Sequence, residues 1–113
     1  MDKKIKGIAI KANEEETYIW IDNDLRSFQD FVGGCIQVIP MGSGIAMIVN
    51  EEGKLYGLPG NFFCDETGDV IVGNVVFVGV NSEDFCSLTI PQERLVFDYL
   101  KSKVRIINGR FVR

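Results

Sequence analysis

VIVGNVVFVGV, residues 70–80, is the most β-prone run in the chain, and its reading decides how the sheet is drawn. Valine, isoleucine and phenylalanine fill it, as a buried strand requires. Gly73 and Asn74 interrupt it, and either split it into two strands or bend one. Before it lie NFFC (61–64) and a polar loop, DETGD (65–69). After it come a turn, NSED (81–84), and a short extended FCSL (85–88).

Further upstream, residues 50–63 read NEEGKLYGLPGNFF. Asn50 to Gly53 has the chemistry of a hairpin loop, with Gly53 expected at the position that needs positive φ. KLYGL (54–58) is expected as a short strand. The Leu58-Pro59-Gly60-Asn61 bend follows, beside a Phe62 that looks exposed. IAMIV (45–49) is nearly continuous and suits burial on both faces. A Pro40-Gly42-Gly44 turn separates it from a strand at CIQVI (35–39).

At the start, IKGIAIK (5–11) alternates, with a slip expected near Gly7. TYIWI (17–21) returns as the second strand of a hairpin. Asp22, Asn23 and Asp24 are good helix-capping residues. Leu25, Phe28 and Val32 then form an apolar helical stripe with Phe31 beside it, over roughly three turns. Gly33-Gly34 ends that helix. Near the other end, TIPQ (89–92) fits a capping box with proline in the first turn. Its helix runs through Leu95, Val96, Tyr99 and Leu100. Asn108-Gly109 between apolar residues predicts a terminal hairpin. On it, Arg105, Arg110, Ile107 and Val112 share one face, and Val104, Ile106 and Phe111 share the other.

These readings predict a single α+β domain. Its sheet is mostly antiparallel, strongly bent or partly closed, and carries two helices. The order is β-β-α-β-β-β-β-β-α, plus a C-terminal hairpin. Residues 1–103 form the domain and 104–113 a basic hairpin-like extension. The chain has 113 residues, the ordinary size of one domain.

Composition excludes several functions. There is no histidine, which removes histidine-dependent triads, histidine-containing zinc sites and imidazole acid–base chemistry. Cys35, Cys64 and Cys86 are odd in number and far apart, so reduced thiols in the cytoplasm are expected, with no metal and no cofactor. No apolar run approaches the ~20 residues of a membrane span, and no long apolar leader is read at the start. The net charge is −4, but residues 101–113 carry +5 and the remainder −9. Such a body disfavours nucleic acid except through the tail. The glycines make no phosphate loop.

Several segments together resemble a known family. They are IDNDLRSFQDFVGGCIQVIP, IVNEEGKLYGLPGN, GDVIVGNVVFVG and SEDFCSLT, spanning about residues 5–100. Their order and spacing are similar to the domain-of-unknown-function family catalogued as 3846. The resemblance implies an accessory role on phages, plasmids and integrative elements, and carries no activity with it. Members more often read Leu-Pro-Pro-Asn followed by a basic residue. Here Gly60 and Phe62 stand at those places, so a role tied to the basic residue is in doubt.

The functional expectation is a non-catalytic, cytoplasmic protein-binding or regulatory protein with a protein partner, and a homo-oligomer is allowed. Contact residues are sought at Leu58, Pro59, Asn61 and Phe62. One alternative is a small-molecule or nucleotide pocket near residues 58–63. Another is nucleic-acid contact through Arg105, Arg110 and Arg113. Tyr18, Trp20, Phe62 and Phe63 could stack bases, but the acidic body favours core or protein-contact roles for them. Glu51, Glu52 and Lys54 read as a solvated turn rather than an acid–base set.

Overall fold

In the computed structural model, which describes residues 3–112, residues 70–80 split into two strands. Asp69–Val72 is β6 and Val75–Asn81 is β7 in chain order, and they belong to different sheets. Gly73, at φ +77°, makes the break. Few side chains tolerate that backbone, and a Cβ there would also stand 2.8 Å from Leu58 Cδ1.

β7 is the spine of the first sheet. On one side it pairs with β4 (Ile45–Asn50), which pairs outward with β3 (Ile36–Gly42). On the other it pairs with β1 (Lys4–Ile10) and, further along, with β8 (Asp84–Cys86). β1 pairs outward with β2 (Thr17–Asp22), giving the order β2-β1-β7-β4-β3. The second sheet has the order β10-β9-β5-β6, with β5 at Gly60–Cys64, β9 at Arg105–Ile107 and β10 at Arg110–Val112. Every pairing among the described residues is antiparallel, and the class is α+β.

The first sheet is covered on both faces. Ile8, Ile10, Met47, Val49, Val75 and Phe77 point to one core, shared with Phe62 and Ile71 of the second sheet. Val96 and Leu100 of α2 (Ile90–Lys101) complete it. Ile5, Ala46, Ile48, Val76 and Val78 point the other way, onto Phe28 and Val32 of α1 (Leu25–Val32). Strict alternation across a sheet covered twice explains the run IAMIV. It also corrects the slip expected at Gly7. The β1–β2 register is unbroken from Lys4↔Asp22 to Ala9↔Thr17. Ile5 and Ile8 differ in parity because they enter different cores. Gly7 is needed for space instead, since a Cβ would meet Phe77 O at 2.5 Å.

Both helices begin where capping chemistry places them. Asp24 accepts the Ser27 amide at 2.7 Å, and Gly33 closes α1 in the left-handed region. Thr89 and Gln92 form the reciprocal capping box of α2, with bonds of 3.3 and 2.9 Å. α1 has 8 residues, about two turns and not three. Leu25 is exposed, so the stripe is buried at Phe28 and Val32, one turn apart, with half-buried Phe31 packed beside them.

Two expectations near residue 54 fail. Residues 54–58 are not a strand. Local bonds wind them into turns: Tyr56 N–H to Glu52 O at 3.1 Å, Gly57 N–H to Lys54 O at 3.1 Å, and Leu58 N–H to Gly53 O at 2.9 Å. These use backbone groups that a ladder would need. Gly53 does not have positive φ. Its constraint is contact, because a Cβ would lie 2.6 Å from Val72 Cγ2.

The terminal hairpin is built into the second sheet. Asn108 and Gly109, at φ 50° and 80°, form its turn. Arg105 pairs with Phe62, and the Phe63 amide donates to Val104 O at 3.0 Å. The face assignment from sequence holds, with Phe111 opposite Ile106 and Arg110 opposite Ile107.

Candidate functional site

At the bend, residues 58–62, two of the four expected contact residues are buried. Asn61 is 0% exposed. Its Nδ2 donates to Ile10 O and to Gly73 O, both at 2.8 Å, tying β5 to β1 and to the break between β6 and β7. Its Oδ1 is buried and pairs with no group among the described residues. Asn61 is thus neither a displayed ligand contact nor a residue that bonds within its own turn. Phe62 is also 0% exposed, with its ring edge-on to Tyr99 at 6.2 Å. This corrects the expectation of an exposed phenylalanine: β5 is an inner strand, and Phe62 points into the core between the sheets. Leu58 is half-buried, and only Pro59 is exposed.

The two described arginines of the tail differ in setting. Arg105 turns inward, where Nε donates to Asn61 O at 3.0 Å and a terminal nitrogen donates to Lys11 O at 3.4 Å. Burial lowers its pKa, against the opposing charges of Glu16 and Glu15, but a guanidinium stays protonated. Arg110 is exposed. Arg113 lies outside the described residues.

A cleft of about 430 Å³ opens between β3, β4, β6 and the 51–55 turn. Ile39, Val49 and Ile71 give it apolar walls, and Glu51, Glu52 and Lys54 its rim. None of residues 58–63 lines it. Lys54 is bonded to Asp69 across the rim. A second polar cluster closes the far end of β5. Tyr99 Oη donates to Glu66 Oε1 at 2.8 Å, and Cys64 Sγ donates to the same oxygen at 3.3 Å. Lys103 Nζ, almost buried, lies 3.0 Å from Asp65 Oδ2 and 3.6 Å from Glu66 Oε2. The Tyr99 hydrogen bond holds the Glu66 pKa below the ordinary carboxylate range. Burial pulls the Lys103 pKa down, but the Asp65 bond and the Glu66 charge outweigh it and the net shift is upward. Burial, with the Cys64 and Glu66 bonds, raises the Tyr99 pKa and keeps the phenol protonated. Each member satisfies another, so the cluster pins the 65–68 loop.

Two edges lack such closure: β10, where Phe111 and Val112 are exposed, and β2, where the open edge adjoins a groove. β2 pairs only with β1, so its outer backbone groups have no strand partner among the described residues. Trp20 is 62% exposed and Tyr18 50%. They lie two residues apart on one face of the strand. The Phe97 ring of α2 meets Tyr18 edge-on at 5.5 Å. Lys6 Nζ sits 4.4 Å from the Tyr18 ring centre and 3.4 Å from Glu93 Oε2, fixing strand to helix. Between β2 and α2 runs a groove of about 320 Å³, lined by Tyr18, Ile90, Glu93, Arg94, Phe97 and Asp98. Ile90 is 80% exposed at its end. The opposite edge of the sheet is blunted: β3 carries Pro40 and an irregular register beside it. β2 carries neither proline nor lysine, and its register is regular.

Comparison with known proteins bears on the body of the chain. A family model, Domain of unknown function (DUF3846), matches residues 5–101. The chain belongs to this family. No curated protein and no solved structure matches it. The DUF3846 match takes in the β2 edge, α2 and the buried bend, and stops before β9 and β10. No helix among the described residues is long and apolar enough to cross a membrane.

The aromatic pair is visible in the sequence, but its exposure is not. TYIWI reads as a strand with one core-facing side and no sign of which side. Only the strand order shows that β2 is an edge.

Proposed function

We propose that this DUF3846 protein is a cytoplasmic, non-catalytic protein-binding module. It takes an extended segment of a partner protein as an added strand on β2. One observation carries the reading: an open strand edge stands beside exposed Trp20 and Tyr18, with α2 forming the second wall of a groove. Soluble proteins usually protect such edges, and this one is bare. In strand addition, main-chain bonds supply affinity and side-chain pockets supply selection. Tryptophan and tyrosine are the side chains that most often dominate such contacts. Three unpaired cysteines accord with a reducing compartment.

Trp20 is the single tryptophan of the chain, so its fluorescence reports on this surface. Host proteins captured by the wild-type chain and lost with Trp20→Ala are the expected result. Binding by a captured protein should move the Trp20 emission toward shorter wavelength as the ring is desolvated. Equal capture by the variant, with no change of emission, would place the interaction elsewhere.

A further inference from the structure

Resting on the strand-addition reading, we infer that the occupant of the β2 edge is a segment with an apolar centre and lysine or arginine at both ends. It is not a second copy of this chain. The charge along the strand carries the inference. Glu14, Glu15 and Glu16 precede β2, Asp22 ends it and Asp24 follows, and residues 12–25 hold no base. Between the two acidic ends lie Thr17 to Ile21, all uncharged. Of the bases near this edge, two are already engaged, and Lys3 and Lys11 flank its two ends. Lys4 Nζ is 3.9 Å from Asp22, and Lys6 is held by Glu93. Arg105 feels Glu16 and Glu15 but spends its hydrogen bonds on the carbonyls of Asn61 and Lys11. Among the described residues, Glu14, Glu15, Glu16 and Asp24 form no ion pair. Glu93 and Asp98 line the groove with Arg94 as its one base.

An added strand laid along β2 therefore passes acid, then an apolar and aromatic stretch, then acid again. Opposite charges facing across a strand pair stabilise it, and like charges destabilise it. A basic–apolar–basic segment meets that pattern at every position. A second copy meets it badly. Antiparallel pairing of β2 with itself about its middle sets Glu15 against Asp24, with Glu16 and Asp22 drawn into the same acidic ends. The order of charges thus selects the partner and rejects the homodimer, as interface charges commonly do.

Selection of a random eight-residue peptide library on the immobilised full chain tests this. The recovered peptides are expected to carry Lys or Arg at both ends around β-branched or aromatic residues. Titrated against the chain, they should shift Trp20 emission. They should bind about tenfold more weakly at high salt than at low, because exposed charges are screened. Replacing the terminal bases by glutamine without loss of affinity would overturn the charge inference alone. Alternate N-methylation, in both phases, without loss of affinity would overturn strand addition itself, because it removes the ladder donors. Recovery of no peptide above the blank would overturn both. A dimer seen by light scattering and abolished by Trp20→Ala would overturn the exclusion of a second copy.

Discussion

Asn61 on β5 and Trp20 on β2 mark opposite ways for a strand to use its polar groups. β5 lies between β6 and β9, so its backbone is engaged on both sides. The Asn61 amide adds two bonds of 2.8 Å to carbonyls of other segments, and its own carbonyl accepts from Arg105. β2 is engaged on one side only, and its largest side chain stands in solvent. A buried network of this kind fixes the fold and presents no group at the surface, although Asn61 Oδ1 stays unpaired among the described residues. An open edge contributes less to the fold and keeps its donors, acceptors and aromatic surface available. The difference predicts that substitutions in the two regions separate stability from binding.

The largest effect is expected at the closed site. Asn61→Ala removes both donors and leaves the Ile10 and Gly73 carbonyls buried without them. Stranding two buried acceptors costs about 1–3 kcal/mol each, and removing the unpaired Oδ1 offsets part of it, so a loss of roughly 2–4 kcal/mol is expected in urea unfolding. Variant that remains folded should still bind at β2. A loss under about 0.5 kcal/mol, the range of ordinary surface changes, would mean that the two Asn61 donor bonds do not hold the fold as described.

Trp20→Ala should do the reverse. Stability should stay within about 0.5 kcal/mol of the parent, as for a surface change. Partner affinity should fall about thirtyfold, the effect of a tryptophan hot spot of about 2 kcal/mol. Large destabilisation with unchanged binding would erase the distinction between the two regions.

Thr89→Ala lies between these cases. It removes one half of the capping box, and helix N-caps contribute about 1 kcal/mol. Because α2 is both a core element and a wall of the groove, thermal stability and affinity should fall together, each slightly. An affinity change without a stability change would show that Thr89 touches the partner directly.

Much of the fold is legible because local chemistry and topology agree. Asp24 and Gly33 bracket α1, Thr89 and Gln92 start α2, and Asn108-Gly109 turns the last hairpin. Gly73 is legible as an interruption, but not as the point where the chain changes sheets. That depends on Leu58 and on the second sheet. The alternation of β1 misleads because a pattern test assumes one buried face, and this strand has two. The functional residues are less legible for a related reason. The bend at Leu58-Pro59-Gly60-Asn61 advertises polar chemistry beside aromatics, yet β9 covers that strand from 44 residues away, measured from Asn61 to Arg105. Trp20 sits in an ordinary β-like run, and its exposure follows from the sheet ending there. Local composition shows which groups are present, whereas strand order decides which are left open.

The smallest effect is expected at the Glu66–Lys103 cluster, which separates the two regions by pH. The folded-state pKa of Glu66 is lowered, so its contribution is full above the unfolded value of about 4.3 and is lost as pH falls through the folded value. The pKa of Lys103 is raised. Its contribution is full below about 10.4 and is lost as pH rises through the folded value. The half-exposed Glu66 carboxylate is screened by water, so the acid limb is shallow. Glu66→Gln should lower the melting temperature slightly at neutral pH, and the difference should close as pH falls through the lowered folded-state value, below which the parent carboxylate is also neutral. A difference that persists in acid would assign the effect to the shape of the 65–68 loop and not to charge. Partner binding at β2 should be the same in both proteins at neutral pH, because the cluster fastens the closed end of β5 and touches no group on the open edge.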